Sequence, residues 1–283
     1  MVLGFFTLSS RQEYYSLPAL PALALMAGGV VAGAEHGDAS LRRNILRAQS
    51  WFLLPVGILV ALVCGTLAII SPSARAGADI SDVLTSNPDQ YNLALGHLHD
   101  LTTRAMGFFR PPLFLMAISM MGLGPVAWWV RKHGHRRIAN RERAANAVLA
   151  VSMCGVLLAV HGGLDRFYPI IGTKGLAMQL KKVLKPNDSV MLDGELTSGS
   201  TLLFYTRHPL QLVNGRENGP WFGSFWPDAP PIFKDEQGLH DAWAGPDTVY
   251  LLTYHTERID DLKRFAPVHL FASSGGKMIL TNR

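Results

Sequence analysis

The run WFLLPVGILVALVCGTLAII, Trp51 to Ile70, holds 20 residues without a charge. As a helix it rises ~1.5 Å per residue and reaches roughly 30 Å, the depth of the hydrocarbon layer of a bilayer. Three further stretches match it: Leu17–Ala34 with 18 residues, Leu113–Val130 with 18 and Ala144–Val160 with 17. Small residues recur inside them, at Gly28, Gly29, Gly33, Gly65, Gly122, Gly124 and Gly155. Helices in lipid gain little by hiding apolar surface from one another, so they associate by close packing, which small residues permit. Residues 1–164 are therefore expected to form a polytopic α-helical membrane bundle of about four spans. Cys64 and Cys154 both fall mid-span and read as small apolar packers.

Charge separates this half from the rest of the chain. Of the 283 residues, 17% are charged, against roughly 25% in soluble chains. Residues 1–164 carry 13 basic and 8 acidic residues, whereas residues 165–283 carry 13 of each, so the formal charge of +5 belongs to the first half. These figures exclude a simple soluble enzyme, a disordered chain and a disulfide scaffold. Nucleic acid is not an expected partner either, because the basic excess lies beside apolar spans rather than on a folded face. The loop 35–50 holds Arg42, Arg43 and Arg47, and the loop 131–143 holds six basic residues from Arg131 to Arg143. The longer loop 71–111 holds only Arg75, Arg104 and Arg110. The positive-inside rule places the first two loops in the cytoplasm and the third outside. The expected location is thus a bacterial inner (plasma) membrane, with the C-terminal domain periplasmic or extracellular. The Arg131–Arg137 cluster reads as a topology anchor.

The ends of the spanning half differ in character. Met1–Leu8 is apolar but covers only ~12 Å as a helix, too little to cross a bilayer. It reads as the last turns of a helix whose earlier part is missing, or as a short interfacial helix. From Asp165 the pattern changes. Helical faces are expected at Thr173–Leu184, Ser198–Tyr205, Leu239–Trp243 and Glu257–Phe265. Strands are expected at Ser189–Leu192, Leu210–Val213, Thr248–Leu252, Val268–Ala272 and Met278–Leu280, with a loop over Gly219–Ile232. This alternation predicts a periplasmic α/β domain over residues 165–283 with a mostly parallel sheet. Its 119 residues suffice for a core of its own.

The string RQEYYSLPALPALALMAG, Arg11 to Gly28, resembles the K-x-x-x-Y-x-L-P-x-x-P-x-L-A-L segment of bacterial aminoarabinose lipid A transferases. These and their relatives, the dolichyl-phosphate-mannose protein mannosyltransferases, are GT-C membrane glycosyltransferases. The stretch from Asp193 to Phe233, DGELTSGSTLLFYTRHPLQLVNGRENGPWFGSFWPDAPPIF, is similar to the periplasmic domain of that family. The resemblance covers nearly the whole chain but only the C-terminal half of the family. It implies a sugar donor carried on a polyprenyl phosphate and a lipid, glycan or protein acceptor of the cell envelope, with membrane lipids as surroundings. The family's catalytic carboxylate lies in the first extracytoplasmic loop, which this chain does not match. Asp79, Asp82 and Asp89 lie in a different loop and do not inherit the role. The resemblance therefore implies a truncated chain that depends on a missing N-terminal catalytic portion.

Such a donor leaves an anionic phosphate as the sugar departs, so the site must hold developing negative charge. By resemblance, Tyr15 matches the family tyrosine before Leu-Pro, and Arg11 stands where the family has Lys. Arg offers phosphate a bidentate fork where Lys is a point charge. Arg11, Tyr14, Tyr15, Arg104 and Arg110 are the candidates for the donor phosphate and its lipid. Interfacial anchoring is the competing role for Arg11, Tyr14 and Tyr15. His97-x-His99-Asp100 has metal-type spacing but no evident third and fourth ligand. No cofactor is thus firmly expected, and a divalent metal at His97 and His99 is the weaker alternative. Trp221, Phe222 and Trp226, with Phe225, form a loop suited to stacking on a sugar or an acceptor, or to packing against lipid. Asp193 and Glu195 are paired carboxylates at a strand end, where glycoside hydrolysis is a remote reading. Gly275-Gly276-Lys277 lacks the first Gly and the Ser/Thr of a P-loop and reads as a hairpin turn. The alternative to a transferase is a non-catalytic membrane-anchored module whose α/β domain binds a glycan, lipid or protein partner.

Overall fold

The computed structural model describes residues 19–74, 80–83, 103–134 and 138–283, with the side chains at 82, 83, 103, 104, 138 and 139 outside that description. The chain divides into two compact units. One comprises residues 1–69 and 111–162, the other 70–110 and 163–283.

The first unit is built from α1 (Leu20–Glu35), α2 (Ala39–Ile70), α3 (Gly107–His133) and the start of α4 (Ile138–Ile171). Three of these, α2, α3 and α4, are long and apolar enough to cross a membrane. At most 17% of their most apolar windows is buried, and Trp51, Leu59, Leu62, Ile118, Val151 and Leu158 stand exposed. A water-soluble bundle would bury those side chains, whereas lipid solvates them. The first expected span, Leu17–Ala34, corresponds to α1, whose 16 described residues fall short of the roughly 20 a span needs. Helix α4 runs through 164–165 without a break, and its 34 residues extend ~51 Å, well past a hydrocarbon layer.

Glycine decides how these helices cross. A Cβ on Gly57 would lie 2.8 Å from the Met120 carbonyl oxygen and 3.0 Å from the Gly124 Cα, and one on Gly124 would meet the Leu53 carbonyl. Helices α2 and α3 thus touch backbone to backbone. Gly122 faces Ser152, and Gly155 faces Ser119, in a reciprocal α3–α4 contact. By contrast, Gly28 and Gly29 in α1 meet nothing within 4 Å. Each of α2 and α3 contains one widened π-helical segment, Gln49–Leu53 and Gly122–Val126. Pro55 follows the first and Pro125 lies inside the second. A proline lacks an N–H and crowds the carbonyl four residues earlier, and a π-turn relieves that crowding.

One end of this unit holds a buried ionic network. Arg131 and Glu142 have fully buried side chains and pair at 2.7 Å. Arg42 donates to the same carboxylate at 2.8 Å. Arg131 also donates to Asn146, whose amide donates to Glu35 at 2.6 Å. Arg131, part of the basic run read as a topology anchor, is thus a buried member of this network. Two arginines share one buried carboxylate, which ties α2, α3 and α4 together.

The second unit contains a six-stranded sheet of order β3-β2-β1-β4-β6-β5, formed by β1 (Ser189–Asp193), β2 (Leu210–Val213), β3 (Phe233–Lys234), β4 (Val249–Thr253), β5 (His269–Ser274) and β6 (Lys277–Thr281). Strands β3, β2, β1 and β4 are parallel, and β6 and β5 are antiparallel. The expected mostly parallel sheet is thus a mixed one, because the two-residue Gly275-Gly276 turn, with φ of 62° and 75°, folds the last strands into a hairpin. β1 and β4 are buried on both faces, as parallel strands between helix layers must be. Helices α5 (Lys174–Leu180) and α6 (Ser200–Thr206) contribute Leu176, Leu180 and Leu202 to the core that packs with Val190, Leu192, Leu212 and Leu252. Helices α7 (Glu236–Ala244) and α8 (Glu257–Leu262) contribute Leu239, Trp243 and Leu262 to a second core with Met191, Val213 and Leu251. Strand residues alternate between the two cores with period two. The hairpin also closes onto the end of α4. Gly275 lies against the Pro169 carbonyl, where a Cβ has no room. The buried Lys277 Nζ donates to the carbonyls of Pro169 at 3.0 Å and Gly172 at 2.7 Å, satisfying acceptors that a helix C-terminus leaves open.

Candidate functional site

The chain leaves β1 for α6 on one face of the sheet and leaves β4 for α8 on the other. Neighbouring strands whose connections diverge in this way open a crevice at their carboxyl ends, where α/β sheets place ligands. Asp193 ends β1 and Thr253 ends β4. The Thr253 hydroxyl donates to Asp193 Oδ2 at 2.8 Å. Arg258, in the first turn of α8, donates from Nε and Nη2 to the two Asp193 oxygens at 2.8 and 2.9 Å. Its Nη1 and Nη2 donate to Glu236 at 2.7 Å each. One guanidinium thus forks two carboxylates, the geometry that Arg alone provides.

Electrostatics follow from this fork. The Arg258 hydrogen bonds hold the Glu236 carboxyl below its ordinary value, with burial opposing and Asn214 assisting. Asp193, and then Glu236, tighten the hold of Arg258 on its proton. One turn along α7, His240 Nε2 lies 2.9 Å from Asp261 Oδ2 and 4.0 Å from Glu236 Oε2. The imidazole stacks on Phe265 with centroids 4.0 Å apart and planes at 15°. These groups line a cleft of about 720 Å³. Glu195 turns away from the crevice pair and accepts from the Asn218 amide at 2.7 Å. Asp193 and Glu195 therefore have separate partners and do not face one another as an acid and a base. Sequence reasoning missed Glu236, His240, Arg258 and Asp261. Their signal was the four-residue step from Glu236 to His240 and the three-residue step from Arg258 to Asp261, each on a helix that follows a strand.

A second feature is the loop between β2 and β3. Phe222 is 77% exposed and Trp226 67%, and Trp221 is nearly half exposed. Trp221 meets Phe222 and Phe225 edge to face at 4.8 and 5.5 Å. Arg216 holds this loop from beneath. Its guanidinium lies 4.9 Å from the Phe225 ring and 5.0 Å from Phe233, and it donates to the Ser224 carbonyl at 2.7 Å. Rings displayed on a braced loop form an exposed apolar patch.

Other candidates lie nearer the spans. Arg110 opens the most apolar part of α3 and donates to the Ser73 hydroxyl. Beside it, Phe108 and Phe109 pack on Ile80, Phe167 and Ile170. Arg104 lies in the short helix Thr103–Met106, and its side chain is outside the description. Arg11, Tyr14, Tyr15, His97 and His99 lie outside the described residues. In the spanning unit, an apolar groove of about 1180 Å³ is lined by Ile58, Leu62, Ile118, Val151, Leu158 and their neighbours.

The comparisons with known proteins come from structure. No family model matches the sequence, and no curated protein matches it either. Two solved structures share its fold. One is ArnT from Cupriavidus metallidurans in the apo state, with a TM-score of 0.56, and the other is the same protein bound to undecaprenyl phosphate, with a TM-score of 0.60. In both, 17% of residues are identical, and the match covers 100% of this chain and 44% of the other. This chain therefore has the fold of a part of ArnT.

Proposed function

We propose that this chain is the C-terminal part of an integral-membrane glycosyltransferase. It moves a sugar from a polyprenyl-phosphate donor to a lipid, glycan or protein acceptor on the periplasmic face of the inner membrane. The observation that carries the reading is the fold likeness over the entire chain, which includes the ArnT structure bound to undecaprenyl phosphate. The chemistry of the residues supports it. The long apolar groove of the spanning unit suits a prenyl chain. Arg110, with Arg104 close by in sequence, suits the phosphate at the membrane surface, where a guanidinium stabilises the charge that develops on the leaving group. Trp221, Phe222 and Trp226 suit an acceptor with apolar faces. The general base comes from elsewhere: by family resemblance it lies in an acidic loop that this chain does not match. The match also covers 44% of the ArnT chain, so transfer is proposed for this chain together with a segment bearing that loop.

The test is reconstitution in proteoliposomes with a sugar-loaded undecaprenyl phosphate and envelope acceptors. Transfer, followed by mass spectrometry, is expected only when this chain and a protein carrying the acidic loop are both present. Donor binding without transfer under every pairing would overturn the transferase reading and favour a binding module. A tag on Arg283 is expected to react with membrane-impermeant reagents added outside cells whose outer membrane has been opened. A shielded tag would overturn the periplasmic assignment.

A further inference from the structure

We propose that Glu236, His240 and Asp261 form a divalent-cation site of the zinc class in the crevice of the α/β unit. One imidazole nitrogen and two carboxylate oxygens, contributed by two helices, lie within 4.8 Å of one another. Zinc binds such atoms at roughly 2.0–2.2 Å in a tetrahedron, which sets the ligands roughly 3.3–3.4 Å apart. The observed separations, 2.9 Å from His240 to Asp261 and 4.0 Å from His240 to Glu236, straddle that value. The set as a whole lies within 4.8 Å, so side-chain rotation on α7 and α8 must draw the ligands together to seat an ion. The three residues line the cleft, and a site with three protein ligands keeps a fourth position for water or a small ligand.

Charge agrees with geometry. Asp193, Glu236 and Asp261 share one guanidinium, with Arg258 Nη1 3.8 Å from Asp261. Two negative charges remain, which a divalent ion balances. Arg264, Glu257 and Asp260 line the same cleft, and Asp260 pairs with Lys263 at 3.2 Å. The imidazole is the least ordinary part. His240 has a side chain only 17% exposed, and stacking on Phe265 fixes its ring plane. An imidazole so fixed loses little freedom on binding an ion, and neutral imidazole with carboxylates suits zinc among the divalent ions. Arg258, which orients Glu236, is then a positioning residue, as outer-shell partners of metal ligands are. This site does not rest on the transferase reading.

The experiment uses the full chain in nanodiscs, stripped with a chelator and titrated with Zn²⁺ against a competing dye. One equivalent is expected to bind, and His240→Gln or Asp261→Asn is expected to weaken it about 100-fold, at or beyond the upper end of losses seen for outer-shell changes. The His97→Ala/His99→Ala double variant is expected to bind as the wild type does. Absence of binding, or equal binding by His240→Gln and Asp261→Asn, overturns the site. Should these variants fail to fold, X-ray absorption of the zinc-loaded wild type decides. One imidazole per zinc supports the site, and two imidazoles overturn it. Failure here leaves the transfer assay untouched, so the two readings fall separately.

Discussion

Two ionic clusters, one in each unit, use the same side chains to different ends. In the spanning unit, Arg131 and Arg42 converge on Glu142, and both Arg131 and Glu142 are fully buried. In the α/β unit, Arg258 serves Asp193 and Glu236, and Glu236 remains 45% exposed beside an open cleft. The first cluster sets two cations on one fully buried carboxylate. The second has three anions around one cation and room next to them. Burial makes the first a structural clasp, since neither partner can be removed without stranding a charge. Openness and surplus charge make the second a place for a ligand.

This contrast breaks most sharply at Glu142. Glu142→Ala leaves two arginines facing an empty space, one of them buried, and is expected to cost about 3–5 kcal/mol. The measurement is thermal unfolding in detergent, where loss of a folded, monodisperse chain is expected. Arg258→Ala is expected to cost less, about 2–3 kcal/mol. Its burden falls on Asp193, whose side chain is 4% exposed, while Glu236 regains water. Equal losses for the two variants would erase the distinction. Gly57→Leu tests the α2–α3 contact without touching either cluster, and overpacking there is expected to cost about 1–3 kcal/mol.

Acid separates the clusters more gently. The Glu236 pKa lies below its ordinary value of 4.5 because Arg258 hydrogen-bonds the ionised form. The folded state therefore holds that proton less well than the unfolded chain. The Glu236 contribution is fully present above about pH 4.5 and disappears as pH falls through the lowered value. The raised pKa of Arg258 has its effect only in strong alkali. Unfolding followed from pH 7 to 3 is expected to show a flat region and then an acid loss, which Glu236→Gln lessens. The smallest effect on stability is expected at the aromatic loop. Phe222→Ala and Trp226→Ala should change unfolding by about 0.5 kcal/mol or less, since exposed side chains contribute little. In the transfer assay the same variants are expected to raise the acceptor KM roughly tenfold with kcat kept, the worth of a lost ring contact.

The spanning helices were readable because lipid imposes one rule on every residue of a span, so length and apolarity suffice. Strands β1, β2 and β4 were readable for a similar reason: short apolar runs bounded by turn residues have few other uses. The two-residue strand β3 was not, since Phe233 and Lys234 sit in a loop by composition and pair only because β2 lies alongside. The antiparallel pairing of β5 with β6 was legible, because the Gly275-Gly276 turn between two apolar runs reads as a hairpin.

Sites divide along the same line. The exposed aromatic loop announced itself, because large rings close together in a Gly- and Pro-rich segment have no helix or strand to bury them. Arg216, its brace, did not. Sequence alone determined which segments are long and apolar enough to cross a membrane and where rings gather, because both follow from the chemistry of neighbouring residues. Tertiary structure alone decided that Arg131 is buried and that Asp193, Glu236, His240, Arg258 and Asp261 share one crevice. Arg131 lies 11 residues from Glu142 and Arg258 lies 65 from Asp193, and charges at such separations find one another only through the packing of helices and strands between them.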